Sequence, residues 1–141
     1  MDAFAAYGHA ITAMALMGLM VLVLGPLSAM RKASDGLAPG AIPPQVYENP
    51  TYRWHRAYGN ATESAGTFAL VTVAAILAGA APFWVNLFAA VFIVARIVMA
   101  VLHVRGGKAD RGARSMAYVV GAMMCIALAI SAIAAVFGGT A

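Results

Sequence analysis

Four long apolar stretches constrain this fold more than any other feature of the sequence. A helix needs about 20 apolar residues to cross a hydrocarbon core about 30 Å thick, and the sequence predicts such helices over residues 5–30, 52–80, 83–104 and 113–137. Apolar residues make up 63% of the chain, well above their share in soluble domains. The prediction is an all-α integral membrane protein, with residues 1–141 forming one four-transmembrane-helix bundle of up-down topology.

The positions of the basic residues predict the orientation of this bundle. Of nine lysines and arginines, all but Arg96 flank the first-to-second or the third-to-fourth connection. Such an excess marks cytoplasmic loops, so we expect basic loops in the cytoplasm, both termini in the periplasm, and a bacterial inner membrane. This placement argues against nucleic acid as a partner. No basic segment precedes the first apolar run, which is therefore expected to be retained. Tyr47 and Tyr52, in the Pro-rich first connection, are expected at the headgroup level.

A polar stripe begins the second predicted helix. Side chains three or four residues apart share one helix face, and the stripe consists of Arg53, Arg56, Asn60 and Glu63. Glu63 lies about ten residues into the helix, which is about 15 Å of depth at about 1.5 Å per residue. An unpaired carboxylate at that depth costs about 3 kcal/mol. Glu63 therefore needs a partner, which we expect from another helix.

Arg96 is the second charge well inside a predicted span. Antiparallel packing would bring Arg96 and Glu63 to similar depth, and pairing would remove most of the burial cost of each. His103 follows seven residues later, on the same helix face as Arg96. The pair alone is equally consistent with a packing salt bridge and with a site. With His103 and the flanking arginines, it favours a basic cavity at the inner boundary for a small anionic solute.

The second predicted helix contains the string Arg56-Ala57-x-x-Asn60-x-x-Glu63. This string resembles the signature of the MAPEG family, the membrane-associated proteins in eicosanoid and glutathione metabolism. Further pieces of the family pattern occur in the expected order: four spans, a Pro-rich first connection, Ala95-Arg96 and Arg114-Ser115. The resemblance covers nearly the whole chain. It implies a homotrimer that binds glutathione as co-substrate at each subunit interface, near the cytoplasmic side.

The resemblance also implies roles for individual residues. The glutathione-binding set consists of the basic residue that ends the first helix, the polar stripe, and two residues of the third helix: Arg31, Arg53, Arg56, Asn60, Glu63, Arg96 and His103. Arg114, near the start of the fourth helix, would face the thiol as the catalytic residue, because a cation beside sulfur favours the thiolate. A lipophilic electrophile would arrive from the membrane lipid, and no metal is implied.

Two positions of the third helix depart from the family pattern. Family members often carry tyrosines three and seven residues after its arginine, where this sequence has Met99 and His103. The leading hypothesis is a glutathione transferase or peroxidase that detoxifies lipophilic electrophiles. The alternative is a non-catalytic protein of the same fold that binds lipid or another small anionic solute. A third hypothesis, a transporter with Glu63 and Arg96 as a coupled pair, is disfavoured because Gly or Pro breaks no helix in the way that transporter sites show.

Overall fold

The computed structural model describes residues 2–38, 40–106 and 111–138. Within these ranges the chain forms helices and no strand. A short α1 (Asp2–Ala5) precedes four long helices, α2 (Gly8–Ser34), α3 (Pro50–Leu77), α4 (Pro82–Arg105) and α5 (Arg111–Gly138). Each of the four is long and apolar enough to cross a membrane. The predicted fold class, an all-α bundle of four spans, is confirmed.

Asparagine, proline and glycine define the helix ends that lie beside the basic connections. Pro50 opens α3, and the side chain of Asn49 accepts a 2.8 Å hydrogen bond from the backbone N–H of Thr51. At the other end of the next helix, Gly106 terminates α4 in the left-handed region, with φ of 74°. The largest difference from the predicted limits is at α2, which continues to Ser34 rather than residue 30.

The four long helices pack around small side chains and one aromatic pair. Phe68 of α3 and Phe92 of α4 are fully buried, and their rings stack with centroids 3.9 Å apart. The same buried cluster contains six alanines, whose small side chains let the helices approach closely: Ala10, Ala13, Ala61, Ala75, Ala89 and Ala132. α5 is the least buried of the four helices. Most of its apolar surface therefore faces outward from the single subunit.

Polar contacts close the end of the bundle that lies opposite the basic connections. The Tyr7 hydroxyl donates a 2.6 Å hydrogen bond to the carbonyl oxygen of Ala80. Asn86 accepts from the backbone N–H of Ala10 at 2.9 Å and donates to the carbonyl oxygen of Ala6 at 2.7 Å. These bonds tie the residues at the start of α2 to the α3–α4 turn and to the beginning of α4. The α2–α3 loop, residues 35–49, lies at the other end.

The orientation of the bundle can be tested by cysteine labelling. In a Cys125→Ala background, Phe83→Cys places an exposed thiol at the α3–α4 turn, and Asp35→Cys places one in the α2–α3 loop. Because positive charges hold basic loops in the cytoplasm, a membrane-impermeant maleimide added to intact cells should label Phe83→Cys and spare Asp35→Cys. The opposite labelling pattern would show that the orientation is the reverse of the predicted one.

Candidate functional site

A cavity of about 600 Å³ opens at the basic end of the bundle, between α3, α4, α5 and the α2–α3 loop. We call it the polar cavity, and its wall consists of Tyr47, Tyr52, Arg56, Asn60, Glu63, Met99, His103, Arg111, Arg114, Ser115, Tyr118 and Val119. Small-molecule sites usually measure about 300–1,000 Å³, so a tripeptide is a suitable occupant by size. The wall includes five of the residues predicted for the site, namely Arg56, Asn60, Glu63, His103 and Arg114.

The polar stripe of α3 forms one side of this cavity. Its helical spacing places Arg56, Asn60 and Glu63 on successive turns. Arg56 Nη2 donates a hydrogen bond to Asn60 Oδ1 at 3.4 Å. The Glu63 side chain is exposed, and it forms no ion pair within 4.0 Å in the described part of the chain. The stripe therefore presents both a cation and an uncompensated carboxylate to the cavity.

His103 connects α4 to α3 and to the loop. Its side chain is 7% exposed, with Nε2 lying 2.9 Å from Asn60 Nδ2 and Nδ1 lying 2.9 Å from Tyr47 Oη. The hydrogen positions follow from the network. Because Asn60 Oδ1 accepts from Arg56, its Nδ2 donates to the imidazole Nε2. The imidazole hydrogen therefore sits on Nδ1 and faces the Tyr47 hydroxyl oxygen.

Arg114 reaches the polar cavity from the first turn of α5. Its guanidinium lies over the Tyr47 ring, 4.0 Å from the ring centroid, as a cation–π contact. Its Nη1 atom is buried and has no hydrogen-bond partner in the described part of the chain. A buried donor without an acceptor costs free energy. The guanidinium is therefore suited to an anionic ligand.

Arg96 does not pair with Glu63, so that prediction is wrong. Arg96 is 4% exposed, and its Nη1 donates to the sulfur of Met99 at 3.5 Å. The guanidinium also lies 5.1 Å from the ring centroid of Phe92 and 5.4 Å from that of Tyr118. A weak sulfur acceptor and two ring faces thus surround the charge in place of a carboxylate. Arg96 borders an adjoining cavity of about 270 Å³, whose wall shares Asn60, Glu63 and Tyr118 with the polar cavity.

Two further predicted glutathione ligands, Arg31 and Arg53, lie outside the wall of the polar cavity. Arg31 is exposed near the end of α2. Arg53 turns to the α2–α3 loop, where Nη1 donates to the carbonyl oxygens of Glu48 at 2.9 Å and Tyr47 at 3.3 Å. The absence of a side chain at Gly106 permits this placement, because a Cβ atom there would overlap with Arg53. Arg53 therefore holds the loop rather than lining the cavity.

The tyrosines of the polar cavity were not among the predicted site residues. Tyr47, predicted at the headgroup level, is half-buried against His103, with ring centroids 5.9 Å apart. Tyr52 lies edge-on to Tyr47, with ring centroids 6.4 Å apart. Tyr118 follows Arg114 by one helical turn, and that spacing could have indicated it. No periodicity marks a loop residue such as Tyr47.

A protein-family model matches most of the chain. The MAPEG family model matches residues 9–134, a range that includes every residue of the polar cavity. No curated protein matches the chain at a significant level. The family match extends through all four spanning helices.

Gly106→Ala tests whether Arg53 holds the loop. The added methyl group would overlap with the Arg53 side chain, so the hydrogen bonds from Arg53 to the loop carbonyls should break. Gly36→Ala is the matched control, because Gly36 also has a left-handed φ, 71°, but open space at its Cβ position. Thermal unfolding in detergent should show the Gly106 variant to be less stable than the control by about 1–2 kcal/mol. Equal losses would show that the Arg53 contacts contribute nothing.

Proposed function

This chain belongs to the MAPEG family, and on that basis we propose that it is a membrane-bound glutathione transferase or peroxidase. In this proposal, glutathione fills the polar cavity as co-substrate, and a lipophilic electrophile reaches the thiol from the surrounding lipid. The observation that carries the proposal is the set of charges in the polar cavity.

These charges complement those of glutathione. The cavity wall has the guanidinium groups of Arg56, Arg111 and Arg114 and the single carboxylate of Glu63. Glutathione with an ionised thiol has two carboxylates, a thiolate and one ammonium group. Arginine binds a carboxylate through two parallel hydrogen bonds, and the Glu63 carboxylate suits the ammonium group. Each charge of the cavity wall thus has an opposite charge on the ligand.

In this proposal Arg114 activates the thiol. A free thiol has a pKa of about 8.5, so little of it is ionised at neutral pH. The guanidinium of Arg114, with a buried nitrogen that lacks an acceptor, stabilises the thiolate by charge and hydrogen bonding. The thiolate then attacks an electrophilic carbon. A carbon–sulfur bond forms, and the leaving group, such as chloride from an aryl chloride, departs with the bonding electrons.

A peroxidase reaction uses the same thiolate. Two glutathione molecules are oxidised to the disulfide, while a lipid hydroperoxide is reduced to the alcohol and water. Tyr118 and Val119 of the cavity wall are each 53% exposed at the surface of a spanning helix. They offer an apolar approach from the lipid to the thiol end of the cavity.

We also propose that a second copy of the chain completes each site, in a homotrimer. Glu63 is exposed on a membrane-spanning helix, where a carboxylate facing lipid costs about 3 kcal/mol. A neighbouring subunit would shield it. Arg31 is exposed at the basic end of α2, so it can enter the cavity of a neighbour although it does not line its own. Cyclic symmetry would repeat the completed site at each interface.

A non-catalytic protein is the second candidate. Met99 stands where family members often have a tyrosine, and its sulfur accepts a hydrogen bond from Arg96, so this position supplies no hydroxyl. Without thiol activation, the basic cavity would still bind a small anionic solute or a lipid headgroup. The two candidates differ in whether bound glutathione is ionised at neutral pH.

Two arginine variants should separate binding from activation. Arg114→Ala should lower the thiolate fraction of bound glutathione about tenfold to hundredfold, because a hydrogen bond to a charged group contributes about 1.5–3 kcal/mol. Arg114→Lys should recover part of that loss, since it restores the charge without the planar fork. Arg56→Ala should weaken binding and lower the thiolate fraction less than Arg114→Ala does. The measurements are equilibrium dialysis of glutathione, the ultraviolet absorbance of the thiolate against pH, and conjugation of chlorodinitrobenzene.

Arg105→Ala is the control for these variants, because it removes an exposed cation of the same region that does not line the polar cavity. It should change neither binding nor the thiolate fraction. Absence of saturable glutathione binding by the unmodified protein would overturn the proposal. Binding without a thiolate at neutral pH would favour the non-catalytic candidate.

Mixed trimers test whether Arg31 acts across an interface. Arg31→Ala and Arg56→Ala should each weaken glutathione binding when expressed alone. If each site takes Arg31 from one subunit and Arg56 from its neighbour, co-expression in equal amounts should restore about a quarter of the sites by random assembly. Mass measurement in detergent should give a trimer. A stable active monomer, or no restored sites in the mixture, would contradict the shared site.

A further inference from the structure

We infer that the hydroxyl group of Tyr47 donates a hydrogen bond to the sulfur of bound glutathione, beside Arg114. This inference rests on the proposed function and gives the α2–α3 loop a part in the chemistry. Tyr47 is then a catalytic residue, because its hydroxyl contacts the reacting atom. The thiol proton leaves to water, and Tyr47 keeps its own proton because a phenol is a weaker acid than a thiol.

The hydrogen bonds that lead to Tyr47 all run in one direction, toward its hydroxyl oxygen. Arg56 donates to Asn60 at 3.4 Å, and Asn60 donates to His103 at 2.9 Å. His103 Nδ1 then donates to Tyr47 Oη at 2.9 Å. The reverse direction fails, because it requires a flipped Asn60 amide whose N–H groups would face the N–H donors of Arg56. The Tyr47 oxygen is therefore the acceptor from His103.

The hydrogen atom of the Tyr47 hydroxyl is available to a ligand. Since the oxygen accepts from His103, this hydrogen is directed to another acceptor, and the described part of the chain supplies none. Tyr47 lines the polar cavity, so a ligand can supply one. Accepting a hydrogen bond also polarises the hydroxyl and makes it a stronger donor. The row of hydrogen bonds thus ends in an unused donor at the cavity.

Arg114 lies beside that donor. The Arg114 guanidinium lies 4.0 Å from the centroid of the Tyr47 ring, and its Nη1 also lacks an acceptor in the described residues. Two adjacent groups therefore have donors without acceptors, an arrangement that fits an anion. Arg56 and Arg111, with Arg31 of a neighbouring subunit in the proposed homotrimer, remain for the two carboxylates of glutathione. The thiolate is the anionic group left for Arg114 and Tyr47.

Tyr47 is held in place from several directions. Arg53 donates to the carbonyl oxygens of Tyr47 and Glu48. The ring lies between the guanidinium of Arg114 and contacts with Tyr52 and His103. A donor fixed by its own packing and hydrogen bonds is the kind that stabilises developing charge without reorganisation.

Tyr47→Phe tests the inference, because it keeps the ring beneath Arg114 and removes only the hydroxyl. The thiolate fraction of bound glutathione at neutral pH should fall about tenfold, as expected for the loss of one hydrogen bond to a charged group. Affinity for S-methylglutathione, which cannot ionise, should change by less than about twofold. Tyr58→Phe is the matched control, since Tyr58 lies against Gly25 and outside the polar cavity. It should leave both quantities unchanged.

The outcomes separate this inference from the proposed function. If the unmodified protein binds no glutathione, or binds it without forming a thiolate, the proposed function and the role of Tyr47 both fail. If the unmodified protein forms a thiolate and Tyr47→Phe changes the thiolate fraction by less than about twofold, only the role of Tyr47 fails, because the loss of one hydrogen bond would have a larger effect. If Tyr47→Phe also weakens the binding of S-methylglutathione, Tyr47 shapes the binding site and does not act on the sulfur.

Discussion

The hydrocarbon around the helices is the constraint on which the rest of this structure depends. In that medium, a polar side chain on a spanning helix must find its partner within the protein. Asn60 forms a hydrogen bond with His103, and Arg96 contacts a sulfur atom and two aromatic rings. Glu63 forms no ion pair in the described part of the chain. Asn60 and His103 thus join α3 to α4, Arg96 lies against Tyr118 of α5, and the uncompensated carboxylate of Glu63 borders the cavity.

His103 shows how one side chain can position several elements. An imidazole has one acceptor and one donor in its neutral form, and His103 uses them on α3 and on the α2–α3 loop. That loop has prolines at residues 43 and 44, and its described residues, 35–38 and 40–49, form no helix or strand. Arg53 of α3 holds its last residues through two carbonyl groups. The loop is therefore held against α3 and α4 by side chains, which explains how an irregular segment can present Tyr47 at a defined place.

The sequence was sufficient for the four spans and for part of the site. The spacing of Arg56, Asn60 and Glu63 placed them on one face, because helical periodicity relates sequence to direction. The same reasoning failed for Glu63 and Arg96, since position along two antiparallel helices gives depth but not the direction that each side chain faces. Arg53 has the helical spacing of the stripe, yet its side chain turns to the loop, because Gly106 has no side chain that would block it there. Contacts of that kind depend on packing between distant segments, which periodicity does not contain.

The separation of opposite charges in the polar cavity is itself informative. Glu63 and Arg114 both line it, and within the described residues they form no ion pair. A direct pair would offset the cost of exposing either charge near lipid, and it would also occupy the groups that a ligand needs. Keeping them apart leaves an anionic and a cationic position in one cavity. A ligand with charges of both signs can pair with Arg114 and with Glu63. A simple anion binds less favourably, because it leaves Glu63 uncompensated.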